Sequence, residues 1–137
     1  IYNATLLLKL QEKGLINLDR PISEYLDAAI ANRLQKSSEI TVRMLLNHTS
    51  GYRNMTIDPA YQLAQLNHPF QQPSLKEQLE FVIEKPLLFI PGKDFFYSNT
   101  NFILSQWIIE KIVKKSYKQV LQEEIIQPLG LTRTYYG

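Results

Sequence analysis

Apolar residues recur along most of this chain with the 3.6-residue period of helices, and only briefly with the alternation of strands. Ile1, Ala4, Leu7 and Leu8 lie at helical spacing over Ile1 to Lys13, and Gly14 follows the last basic residue where a helix would stop. The run "LINLDRPISEYL" alternates apolar and polar residues around Pro21, which predicts a short extended or turn segment followed by one helical turn. Thr41 opens "TVRMLLNHTSGY", a short apolar helix that ends among Asn47, Ser50 and Gly51, residues that favour turns. Residues 52 to 73 are rich in Asn, Gln and Pro and weakly periodic, with at most a short helix near Asp58 to Leu66, so they read as a surface excursion within one domain.

The second half is more strongly patterned. Ser74 followed three residues later by Glu77 is a capping box, and Leu75, Leu79, Phe81 and Val82 keep helical positions until Pro86 forbids continuation. After the Pro91-Gly92 turn, Phe102, Ile103, Trp107, Ile108, Ile112 and Val113 describe one wide buried face, closed by Lys114 and Lys115 before a new N-cap at Ser116. The last helix, "SYKQVLQEEII", stops before Pro128, and "PLGLTRTYYG" is a turn punctuated by Pro and Gly. With no repeat and no multi-strand pattern, the expected architecture is mainly α: helices packed on one apolar core, with one short hairpin at most.

Composition narrows the class without naming a function. A chain of 137 residues with 45% apolar and 20% charged residues is one globular unit by size. A formal charge of +2, with lysines spread among glutamates, leaves no nucleic-acid footprint. No apolar run approaches the roughly 20 residues of a membrane span. The chain has no cysteine, which excludes disulfides and thiolate metal sites and leaves the compartment open. His68 has no ligand companion at helical or turn spacing, and two histidines without a cysteine make a poor zinc set, so no metal and no cofactor is expected. Ile1 falls inside an apolar-periodic segment without an N-cap, and the chain stops at Tyr135, Tyr136 and Gly137; it reads as a fragment of a larger domain.

Candidate chemistry concentrates in "PGKDFFYSNTNFILSQWI", where Tyr97, Ser98 and Asn99 sit at the start of a helix. A helix N-terminus presents unpaired N–H groups and the positive end of the dipole. On its own the tripeptide reads as a cap, Ser98 or Asn99, beside a half-buried aromatic. A phenol becomes a base near neutrality only if its reference pKa near 10 falls by roughly three units, about 4 kcal/mol, whereas a helix end gives about 0.3 to 1 kcal/mol. A fixed cation is therefore needed, and Lys93, in the Pro-Gly turn, is expected in solvent. In "LLNHTSGYRN", His48 and Ser50 could suggest a base and nucleophile, but residues two apart at a helix end seldom face each other, and turn roles account for Asn47, Ser50 and Gly51. Glu123 and Glu124 are adjacent, point to different azimuths and suit a solvated face; Tyr135 and Tyr136 carry no assignment.

Taken in order, "LLLKLQEKGLINLDRPISEYL", "ITVRMLLNHTSGY", "FIPGKDFFYSNTNFILSQWIIEKI" and "IIQPLGLTRTYYG" resemble the serine β-lactamase and penicillin-binding-protein superfamily, on its class C and D-alanyl-D-alanine carboxypeptidase or esterase side. The resemblance covers nearly the whole chain except residues 53 to 72. It implies the helical subdomain of an α/β two-subdomain fold, part of a serine acyl-enzyme hydrolase acting on a β-lactam, a D-Ala-D-Ala-type peptide or an ester. By resemblance Tyr97 is the proton-handling tyrosine of a Y-x-N motif, and Asn99 bonds the substrate amide and helps hold the lysine of S-x-x-K, which is the missing cation.

In that family the S-x-x-K motif should lie immediately before Ile1, and a K-T-G-like strand well after residue 137. These 137 residues alone are therefore expected to be inactive. The resemblance also implies a small-molecule acyl substrate for the parent protein and a periplasmic, secreted or envelope location. An isolated helical half should expose an apolar face through which it could dimerise. The competing expectation is a non-catalytic helical interaction module or a degenerate relative, favoured if the gene lacks S-x-x-K upstream of Ile1.

Overall fold

In the computed structural model, which describes residues 1–136, seven α-helices follow one another through turns. They are α1 (Tyr2–Glu12), α2 (Ala28–Ala31), α3 (Val42–Leu46), α4 (Pro59–Asn67), α5 (Leu75–Glu80), α6 (Asn99–Val113) and α7 (Tyr117–Leu121). Short 3₁₀ turns at Ile22–Glu24 and Met55–Ile57 precede α2 and α4, and α7 widens into a π-turn at Gln122–Ile126. Gly137, the end of the "PLGLTRTYYG" motif, lies outside the described residues.

Local signals explain most helix ends. Gly14 takes φ +69, its N–H donates to Gln11 O at 2.9 Å, and Leu15 N–H reaches back to Leu10 O at 3.0 Å, the paired bonds of a Schellman end. Thr41 Oγ1 accepts from Met44 N–H to start α3, and Asp58 accepts from Ala60 N–H to start α4. Ser74 with Glu77 and Ser116 with Gln119 each form a complete capping box.

Helix α6 is the axis, and α1, α3, α5 and α7 all pack against it. Its fully buried apolar residues are Ile103, Leu104, Ile108 and Ile109, which corrects the expected face: Phe102, Trp107, Ile112 and Val113 are only half-buried. Neighbours on several sides shift the stripe, and the first two turns of α6 bury polar Thr100, Asn101 and Ser105. On α1 the inward residues are Leu6, Leu7 and Leu10, while Leu8 is 48% exposed and Ile1 almost wholly so. Adjacent positions on a helix differ by about 100°, so Leu7 and Leu8 cannot both centre one face.

Three further expectations are corrected. The hairpin reduces to one isolated antiparallel bridge, Pro21 to Thr41. Pro21 has no N–H to extend a ladder, and a helical turn begins immediately after each partner. Helix α5 ends at Glu80 and does not run on to Lys85: Glu84 takes φ +64 and donates its N–H to Arg33 O, while the Arg33 guanidinium binds both Glu80 and Glu84. The last helix is α-helical only to Leu121. Glu123 and Glu124 do diverge, Glu123 pairing with Lys115 and Glu124 with Lys9 and Lys13.

Leu104→Ala, which empties a fully buried site, should cost about 2–5 kcal/mol. Ser74→Ala, which removes only a capping box, should cost about 1 kcal/mol. Urea-unfolding midpoints of the two variants should rank in that order.

Candidate active site

Two loops far apart in sequence are zipped together at the N-terminus of α6. The residues after α3, 47 to 54, face the stretch from 88 to 99. Leu88 N–H donates to Gly51 O at 2.9 Å, Gly92 N–H to Thr49 O at 2.8 Å and Phe96 N–H to His48 O at 3.1 Å. Gly51 is required here, because it takes φ +84 and an added Cβ would lie 2.6 Å from Phe89 O. Asn47 and Ser50 take the turn roles expected of them: Asn47 Oδ1 accepts from Thr49, and Ser50 Oγ accepts from Tyr52 N–H.

The zipper ends in a buried polar network. Ser98 is the positional N-cap of α6, yet its side chain makes no cap bond; its Oγ donates to Arg53 O at 3.0 Å. The cap comes from Asn54, whose Oδ1 accepts from Asn99 N–H at 3.1 Å. Ser98 N–H donates to His48 Nδ1 at 3.2 Å, Asn101 Nδ2 lies 3.1 Å from the same nitrogen, and Ser50 Oγ donates to Asn101 Oδ1 at 2.6 Å. A backbone N–H can only donate, so Nδ1 is the unprotonated acceptor and the neutral ring carries its proton on Nε2.

Tyr97 stands on this base, 51% exposed, with its ring against that of His48. Its hydroxyl donates to Asn99 Oδ1 at 3.5 Å, and Asn99 Nδ2 donates to Thr56 Oγ1 at 3.4 Å. The structure thus places Tyr97 and Asn99 side by side at the surface, exposed phenol next to half-buried amide. Among the described residues no lysine or arginine bonds to that phenol, and Lys93 is exposed. No group of His, Asp and Glu among them could hold a metal ion. Asn54, Thr56 and Asn101 are the site residues that sequence reasoning missed, and His48, set aside there in favour of a turn role, joins them. Their partners lie 43 to 53 positions away, a distance at which spacing carries no signal.

The Beta-lactamase family model matches residues 1–137. This chain belongs to the Beta-lactamase family. Its helices are those of the helical subdomain in the two-subdomain fold of these hydrolases. The family chain is similar to a D-stereospecific amidohydrolase from Streptomyces sp., with 37% identity and a TM-score of 0.88 over 95% of this chain and 40% of that one. It is also similar to an octameric penicillin-binding protein homologue from Pyrococcus abyssi, with 31% identity and a TM-score of 0.79 over 99% of this chain and 31% of that one. Among curated proteins, a putative D-alanyl-D-alanine carboxypeptidase of Escherichia coli is 25% identical over 132 residues, 94% of this chain and 30% of that protein. The chain therefore spans less than a third of that curated relative. Among the described residues no helix is long and apolar enough to cross a membrane.

Burial pushes the His48 imidazole below its ordinary value of 6.5. Between the two values the unfolded chain binds more protons than the folded one. The stability of the neutral network is therefore fully present above about pH 6.5 and is lost as pH falls toward the folded value. The melting temperature of the full-length protein should drop from about pH 7.5 to about pH 5, and His48→Gln should flatten that slope. Equal slopes in the two proteins would show that folding does not lower the His48 pKa.

Proposed function

We propose that this chain is the helical subdomain of a larger serine hydrolase that forms an acyl-enzyme on a β-lactam, a D-Ala-D-Ala-type peptide, or a related amide or ester. The observation that carries this reading is the exposed Tyr97 phenol beside the Asn99 amide, both mounted on a hydrogen-bonded base. By their names, the similar amidohydrolase is D-stereospecific and the similar putative carboxypeptidase acts on D-alanyl-D-alanine, which favours an amide or peptide substrate.

In this reading the nucleophilic serine and its lysine come from outside residues 1–137. The serine oxygen attacks the substrate carbonyl, the carbonyl–nitrogen bond breaks, and the serine proton passes to the leaving nitrogen. Tyr97 is the relay for that proton, kept competent by the lysine ammonium, because a helix end alone falls several kcal/mol short. Asn99 receives the substrate amide. The exposed apolar residues Ile1 and Leu8, seven positions apart and so on one side of α1, belong to the face that the other subdomain covers, and in an isolated helical half the same face would pair two copies.

In the full-length protein, acylation by a fluorescent penicillin or a fluorophosphonate should slow by about 10²- to 10⁴-fold in Tyr97→Phe, the usual worth of a positioned proton donor or acceptor. Asn99→Ala should weaken substrate binding or slow acylation. A Tyr97→Phe protein that acylates at the wild-type rate would rule out the relay, and a full-length protein that does not acylate at all would favour a non-catalytic relative.

A further inference from the structure

His48 meets the Tyr97 segment in three ways at once. Its carbonyl accepts from Phe96 N–H at 3.1 Å, and its Nδ1 accepts from Ser98 N–H at 3.2 Å. Its ring packs on the Tyr97 ring with centroids 4.5 Å and planes 36° apart. Phe102 closes the far side, 5.0 Å from the His48 ring and 5.9 Å from the Tyr97 ring. The amides on both sides of Tyr97 are therefore tied to one residue, and that residue also supports the aromatic ring between them.

Turn geometry does not account for a histidine here. The backbone at 48 has φ +61, which asparagine or glycine adopts with less strain, and the turn uses only its backbone, the N–H donating to Leu45 O and the carbonyl accepting from Phe96 N–H. The imidazole takes no part in the turn. It is held by Asn101, itself fixed by Ser50, and at 8% exposure it is too buried to meet a substrate.

We propose that His48 is a positioning residue for Tyr97, fixing the phenol oxygen beside Asn99 through the flanking amides and the ring contact. The proposal rests on the reading of Tyr97 as the proton relay. It goes beyond it in assigning the relay's placement to a side chain that never touches the reacting atoms. A misplacement of about 1 Å can cost about a hundredfold in rate, so the loss of this support should be visible in kinetics.

The test is a double-mutant cycle on the full-length protein, with acylation by a fluorescent penicillin as the readout. His48→Asn keeps the left-handed backbone but removes the ring and Nδ1. It should lower kcat by about ten- to a hundredfold, leave KM within about threefold, and add no further loss in a Tyr97→Phe background. His48→Gln, which restores an acceptor for the Ser98 amide, should recover part of the rate, and it carries the same cycle if His48→Asn does not fold. A folded His48→Asn protein at the wild-type rate, or a loss that persists undiminished on top of Tyr97→Phe, would overturn the proposal. A wild-type rate in Tyr97→Phe alone would instead remove the relay. Placement is read independently by fluorine NMR of 3-fluorotyrosine at position 97, where the resonance should move in His48→Asn, and an unmoved resonance would overturn the positioning role.

Discussion

The hydrogen bond from Ser98 N–H to His48 Nδ1 joins two loops fifty positions apart, and the candidate site depends on it. Around it, Asn101, Ser50 and Asn54 complete a buried network, and among the described residues no buried side-chain polar atom lacks a partner. Such a network adds little net stability, about 0.5–1.5 kcal/mol per bond, but leaving one group unpaired costs about 1–3 kcal/mol. Its effect is to permit a single arrangement. The start of α6 cannot shift against the loop after α3 without breaking several bonds together.

That rigidity matters because the chemistry proposed for Tyr97 is positional. A phenol offers a proton path only where its oxygen lies within hydrogen-bond reach of the group it serves, and half of this side chain stands clear of the protein. The apolar stripe of α6, from Ile103 to Ile109, anchors the helix in the core, while its polar first turn holds the site. One helix thus joins fully buried core residues to the candidate site.

Much of this was legible in the sequence where the cause is local. Gly14, Thr41, Asp58 and the Ser74–Glu77 box mark helix ends because their partners lie within a few residues. The family was legible from the order of its motifs, and Tyr97 and Asn99 came with it by resemblance. What escaped has distant causes. Helix α2 is only four residues long, too short to show a period. Helix α5 stops where Arg33 gathers Glu80 and Glu84 across about fifty positions. The imidazole of His48 looks like part of a turn until the chain folds and brings Ser98 and Tyr97 onto it.

The most direct measurement is a crystal structure of the full-length protein trapped as its acyl-enzyme with a penicillin. The expected result is the Tyr97 oxygen at about 2.6–3.2 Å from the acylated serine oxygen or its lysine, with the Asn99 amide against the bound amide. An acylated serine far from position 97, with the Tyr97 ring turned away from the cleft, would contradict the account.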